Sequence, residues 1–257
     1  MAAAEKTRLD ILLVERGLVP SRERARAMIL AGRVLVKEQK IDKPGSAVVG
    51  DAPIRLLGND LPYVSRGGLK LAAALEGWKI EVTGRACLDV GASTGGFTDC
   101  LLQHGAAHVT AVDTGFGQIA MKLRNDERVR LVERTNARFL APGALAEAGN
   151  PALTLLVMDV SFISATLLIG PVLAAAPGLR EAVILVKPQF EVGRGHVGKG
   201  GIVRDPEEHR LAVEKVADCV RSQGWEVVET IPSPITGVEG NREFLLYARQ
   251  GESSSAT

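Results

Sequence analysis

Apolar and polar positions divide the chain into two parts with different rhythms. In the first 60 residues the periods are short. "TRLDILLVERG" reads as a helix, with Thr7 as N-cap, Asp10 completing a capping-box variant and Gly17 as the stop. "SRERARAMILAG" reads as a second helix, capped by Ser21 and ended by Gly32. "RVLVK" (33–37) alternates like a strand, "EQK" turns, and "IRLL" (54–57) forms another short strand. The expectation is a compact α+β unit.

From about residue 84 the pattern becomes βα alternation. Nearly continuous apolar runs at 85–91, 108–113, 128–133, 154–160 and 181–187 read as strands, and stretches at 96–104, 116–124, 161–175 and 205–223 read as helices. Strands without polar alternation are buried on both faces, so the expectation is a mainly parallel sheet with helices on either side. "WEVVETI" and "EFLLYAR" have no helix between them and should close one edge as an antiparallel hairpin. No internal repeat is visible. The tail "GESSSAT" is expected to be disordered.

Composition changes this picture little. With 46% hydrophobic and 24% charged residues the chain is of ordinary globular type, and its net charge of +1 excludes no partner. Cys87, Cys100 and Cys219 are scattered and read as reduced thiols, and the four histidines form no ligand cluster, so no metal site is expected. No apolar run approaches a membrane span and no signal-peptide core follows the start, which points to the cytoplasm. Charge is uneven, however. Residues 1–60 hold 11 Lys/Arg against 8 Asp/Glu, with Arg22, Arg24, Arg26 and Arg33 close together. Such a stripe fits a solvated helix surface or a track for a phosphate backbone.

Candidate chemistry gathers at strand ends, where open α/β sheets bind ligands. The first strand runs into "DVGASTGGFTD" (89–99), a glycine-rich turn before a helix N-terminus. Its G-x-x-x-G-G spacing is not the pyrophosphate fingerprint of nicotinamide enzymes. It suits a nucleoside carrying an amino acid, as in S-adenosylmethionine. Asp113 ends the second strand, 22 residues after Gly91, where a carboxylate can accept both ribose hydroxyls. Taken alone, the turn also fits a generic βα loop. Asp159 and Lys187 end the fourth and fifth strands, Lys70 lies in "SRGGLKL" (65–71), and Glu243 opens the last strand in "GNREFLLY". The loop "FEVGRGHVGKGGIVRD" (190–205) carries Arg194, Lys199 and Arg204 and reads as a surface loop or an RNA clamp.

Two resemblances sharpen these readings. "RLDILLVERGLVPSRERARAMILAGRVLVKEQKIDKPGSAV", with its SRxxA element and Lys43-Pro44-Gly45 turn, resembles the small RNA-binding domain named after ribosomal protein S-four. Lys70, Asp159, Lys187 and Glu243, with "SRGGLKL" and "NREFLLY", resemble the Lys-Asp-Lys-Glu tetrad of FtsJ-like ribose 2′-O-methyltransferases. Together they make the chain similar to the TlyA-type ribosomal RNA methyltransferases, a family often carrying the name hemolysin. The resemblance implies an S-four-like domain at 1–60, a linker at 61–67, and at 68–250 a Rossmann-like class I fold with a seven-stranded, mostly parallel sheet, followed by the tail.

It further implies S-adenosylmethionine as cofactor, held by Asp89, Gly91, Ala92, Ser93, Thr94, Gly95, Gly96, Phe97, Thr98, Asp113, Asn136, Ala137 and Asp159. Arg8, Arg22, Arg24, Arg26, Arg33, Lys43, Arg66, Arg194 and Lys199 are then the expected RNA contacts, with ribosomal RNA in ribosomal subunits as partner and a cytidine ribose as acceptor. A lysine acts as base there only if its pKa falls well below about 10.4. Lys187 is the expected base or hydroxyl-orienting group, Lys70 a neighbouring cation, and Asp159 and Glu243 their anchors. Other RNA acceptors or a non-catalytic assembly factor are the alternatives. A membrane-lysing role finds no span and no exposed cationic amphipathic helix to support it.

Overall fold

The computed structural model describes residues 6–19, 21–57, 61–146, 151–198, 200–237 and 239–251. The chain separates into two compact units, Met1–Asp60 and Leu61–Thr257.

In the first unit, β1 (Lys6–Arg8), α1 (Leu9–Glu15), α2 (Arg22–Leu30), β2 (Val34–Val36), β3 (Gln39–Lys40), β4 (Ala47–Val49) and β5 (Ile54–Leu56) surround a small core of Leu9, Leu12, Leu13, Ala25, Ile29 and Val34. Ser21 caps α2 as expected, its hydroxyl accepting from Arg24 N. Thr7 does not cap α1. It lies in β1, and the first N–H groups of the helix are satisfied from elsewhere: Leu9 N donates to Ser46 O and Asp10 N to Pro44 O, both in the turn at 43–46. A distant turn replaces the local cap. "EQK" is also not the turn. Lys37 and Glu38, both at positive φ, form a two-residue hairpin loop, and Gln39–Lys40 pair back onto β2.

The second unit comprises α3 (Gly67–Gly77), β6 (Ala86–Val90), α4 (Gly96–Gln103), β7 (His108–Val112), α5 (Met121–Arg124), β8 (Val129–Val132), β9 (Leu153–Met158), α6 (Thr166–Ala175), β10 (Glu181–Val186), α7 (Pro188–Glu191), α8 (Pro206–Ser222), β11 (Trp225–Pro232) and β12 (Phe244–Gln250). Its seven-stranded sheet has the order β11-β12-β10-β9-β6-β7-β8, with β6 to β10 parallel and β12 antiparallel to both neighbours. This is the expected mostly parallel sheet with an antiparallel edge pair. Along β10, Ala182, Ile184 and Val186 enter the core on one face, and Val183 and Leu185 enter the core on the other. Coverage of both faces explains why the strand reads as one apolar run.

Two helices are shorter than their patterns suggest. The stretch 116–124 is helical only at Met121–Arg124, and 161–175 only from Thr166, because Gly117 and Phe162 take left-handed φ values of 70° and 65°. The helix α3, unforeseen in the sequence, buries Leu71, Ala74 and Leu75 at the spacing of one helical face. Among the described residues, no helix is long and apolar enough to cross a membrane.

Candidate active site

Three adjacent strands deliver three charged side chains to one end of the sheet. Val186 of β10 pairs with Phe244 of β12, so Lys187 and Glu243 fall on the next rung, and Asp159 directly follows β9 on the other side. Lys187 Nζ lies 2.6 Å from Asp159 Oδ1 and donates to Ser161 Oγ at 2.7 Å. The Asp159 contact is an ion pair without hydrogen-bond geometry, since Oδ1 is buried with no hydrogen-bond partner. Lys70, one turn into α3, forms a buried ion pair with Glu243, whose side chain is 3% exposed.

Close packing holds Glu243, since a Cβ on Gly237 would stand 2.6 Å from its Oε1, and Gly67 at the start of α3 faces Asp159, where an added Cβ would make ordinary contact at 3.8 Å from Oδ2. The four tips thus form two lysine–carboxylate pairs on one patch, with Lys70 partnered by Glu243 and Lys187 by Asp159. Each buried charge has its counter-ion, as burial demands.

Beside them the turn after β6 forms a cradle. Gly91 takes φ +87°, and a Cβ there would lie 2.4 Å from the Asp159 carbonyl oxygen, so only glycine lets the two loops touch. Gly96 serves packing: its Cβ would meet Ser65 Oγ at 2.2 Å, between the starts of α3 and α4. Gly95 is close to Leu123 and Ile119 in the same sense. Phe97 and Thr98 are buried in the unit rather than presented to a ligand, Phe97 in the core and Thr98 against Asp89. Thr94 is exposed, and its carbonyl accepts from Ala120 N.

Asp89 is fully buried. Its Oδ2 accepts from Thr98 Oγ1 at 2.6 Å, while Oδ1 has no partner. Burial pushes its pKa up to about 7, against the Thr98 hydrogen bond and with help from Asp159 and Asp113 nearby. An orphaned carboxylate oxygen under a glycine-rich turn lacks a donor that a ligand amino group can supply.

Asp113, after β7, accepts from Ser93 N through Oδ2 and from Gly115 N through Oδ1. It lines a pocket with Ala92, Ser93, Gln118, Ile119, Leu131 and Glu133. The Arg124 guanidinium, aided by Gly117 N–H, holds the Glu133 carboxyl below its ordinary range. Aliphatic walls with two carboxylates suit a nucleoside, the base on the apolar side and hydroxyls toward the acids. Asn136 and Ala137 do not line this pocket. Asn136 caps a short 3-10 turn by accepting from Arg138 N, and Ala137 sits in the core.

The FtsJ-like methyltransferase profile matches residues 63–250, and the S4 domain profile matches residues 7–53. The chain belongs to the FtsJ-like methyltransferase family. The Mycobacterium tuberculosis protein named 16S/23S rRNA (cytidine-2′-O)-methyltransferase TlyA is 45% identical over 247 residues, which cover 96% of this chain and 91% of the relative. Hemolysin A of Brachyspira hyodysenteriae is 42% identical over 245 residues, 93% of this chain and 98% of that one. A solved hemolysin-named structure from Streptococcus thermophilus superposes with a TM-score of 0.72 at 40% identity, covering 98% of this chain and 90% of its own.

In this FtsJ-like protein the expected RNA-contacting cations fall into four groups. Arg8 and Arg22 both bind Asp10, which is fully buried, at 3.0 and 3.1 Å, so part of the basic stripe is tied to the unit's own carboxylate. Hydrogen bonding from Arg8, then Arg22, holds Asp10 down to about 2 despite burial. Arg26, Arg33, Lys43 and, in the second unit, Arg66 are exposed, whereas Arg24 is half-buried. Lys199 and the Arg194 side chain lie outside the described residues.

Sequence reasoning missed Gln118, Ile119, Leu131 and Glu133 in the pocket, and Ser161 beside Lys187. Glu133 carried a usable signal, an acid at a strand end like Asp113 and Asp159. Phe162 was also missed. It is 92% exposed at left-handed φ, directly after Ser161, with its ring 5.3 Å from Phe190. A bulky residue held in that conformation marks a constrained site.

Proposed function

We propose that this FtsJ-like methyltransferase uses S-adenosylmethionine to methylate a ribose 2′-hydroxyl of ribosomal RNA, at a cytidine. The observation that carries the reading is the pairing of Lys187 with Asp159 and Lys70 with Glu243 at the ligand end of adjacent strands. When bound, the cofactor supplies an electrophilic methyl group on a sulfonium. The residues present fit it: the unpartnered Asp89 Oδ1 for the amino group, Gly91 to Ser93 along its length, and Asp113 with the apolar Ile119 and Leu131 for the nucleoside.

Lys187 would take the proton from the 2′-hydroxyl as that oxygen turns nucleophile toward the methyl group that the bound cofactor would supply. Asp159 and Ser161 hold the Lys187 side chain in place, and the ammonium formed there has Asp159 as counter-ion. Glu243 pairs with the buried Lys70 and orients it beside the acceptor. The exposed Phe162 ring is a stacking surface for an unpaired base. The S4 match, the exposed arginines of the first unit and the rRNA-directed names of relatives favour ribosomal RNA over another RNA class.

The test is ribose-methylation mapping of both ribosomal RNAs from cells with the intact protein and with Lys187→Ala. One 2′-O-methyl cytidine or more should disappear. A Lys187→Ala protein that folds, binds cofactor and still methylates fully overturns the role of Lys187; an unchanged map on complete loss of the protein overturns the substrate.

A further inference from the structure

Lys187 and Glu191 bracket the one-turn helix α7, and Asp159 and Ala165 bracket the loop after β9. The two segments meet at both ends. At one end Lys187 contacts Asp159 and Ser161. At the other the Glu191 carboxylate, 2% exposed, accepts from Ala165 N through Oε1 at 2.7 Å and from Ser164 Oγ through Oε2. Lys215 of α8 closes this end, with Nζ 3.4 Å from Glu191 Oε2 and donating to the Glu191 carbonyl at 2.7 Å.

Between the two ends the loop carries Phe162 at φ +65°, a conformation that L side chains rarely adopt. The Glu191 contact also satisfies the N–H of Ala165, the N-cap of α6, which has no capping side chain of its own, while the neighbouring Ser164 Oγ accepts from Thr166 N at 3.3 Å.

We infer that Glu191 is a positioning residue for methyl transfer: by clasping Ser164 and Ala165 it keeps the strained loop closed, so that Ser161 stays on the Lys187 amine and Phe162 stays against Phe190. The inference rests on the reading of Lys187 as the reacting amine. With the clasp open, Phe162 relaxes toward an ordinary backbone conformation and Ser161 leaves Lys187. Misplacement on the scale of 1 Å near reacting atoms costs up to about 100-fold in rate.

The test compares Glu191→Ala, Glu191→Gln, Ser161→Ala and the Glu191→Ala/Ser161→Ala double variant in the full-length protein. It reads kcat and KM for RNA at saturating cofactor, and hydrogen exchange of the 160–166 amides. Glu191→Ala should lower kcat about 10-fold or more with little change in KM, and should strip protection from 160–166. Glu191→Gln should recover most of both, because its amide oxygen still accepts from Ala165 N. The double variant should be no slower than the slower single variant, as residues acting through one contact are not additive. Multiplying effects, or a loop stripped of protection with kcat unchanged, overturn the inference. If Glu191→Ala does not fold, Ser164→Ala leaves the Ala165 N contact to Glu191 in place, removes the hydroxyl together with its contacts to Glu191 and Thr166, and should reproduce the pattern at smaller size. Exchange is read without turnover, so a clasp that opens in Glu191→Ala while Lys187→Ala retains full methyl transfer separates failure of the proposed base from failure of the clasp.

Discussion

Asp89→Asn exchanges stability against cofactor binding, and the structure sets both signs. Asp89 is fully buried, with one oxygen on Thr98 and the other unpartnered, and burial lifts its pKa from 3.8 to about 7. The folded state therefore keeps a proton that the unfolded chain has lost, and stability falls as pH rises between these values. At ~1.4 kcal/mol per pH unit, the ionised carboxylate costs the folded protein about 4 kcal/mol at pH 8, as a ceiling.

Asparagine removes the charge and keeps an oxygen for Thr98, but it buries an amide hydrogen donor in place of Oδ1, which returns about 1–3 kcal/mol. The variant should melt several degrees higher at pH 8, at about 2–4 °C per kcal/mol for a unit of this size. At pH 5 most of this advantage should be gone, because wild-type Asp89 is then protonated in the fold. Loss of the anionic partner should weaken cofactor binding about 10-fold or more, read by calorimetry at pH 8. A melting difference independent of pH, or undiminished affinity, refutes the reasoning.

Three further outcomes are expected. Gly91→Ala should destabilise the second unit by at least ~2 kcal/mol in denaturant unfolding, because the added methyl meets a backbone oxygen at 2.4 Å and φ is +87°. Arg26→Ala with Arg33→Ala should weaken RNA binding and reduce the slope of affinity against salt by roughly 0.7–0.9 for each phosphate left without its arginine, measured by a salt titration of binding; Arg8→Ala should instead also lower stability, since it strips one partner from buried Asp10.

The strands were legible because their physics is local. A strand covered on both faces must be apolar at nearly every position, and "EAVILVK" declares this without its neighbours. Helix α3 was hidden by its opening Gly-Gly and by Lys70, a charged residue whose burial makes sense only opposite Glu243, 173 residues away. The 161–175 stretch passed for one helix because its apolar content continues through Phe162 and Ile163. Only the clasp to Glu191 and the positive φ reveal a loop there. Asp10 carried the signature of a capping acid, yet its partners are Arg8 and Arg22.

Residue order alone determined where the strands of the seven-stranded sheet lie, that a glycine-rich turn precedes a helix, and which four charged residues resemble a methyl-transfer tetrad. Tertiary structure decided who pairs with whom: Lys70 with Glu243, Lys187 with Asp159 and Ser161, and Asp89 with one oxygen left over. The reason is range. Propensity and periodicity act over a few residues, whereas the protonation, orientation and partner of a buried charge depend on groups brought within about 4 Å from distant parts of the chain.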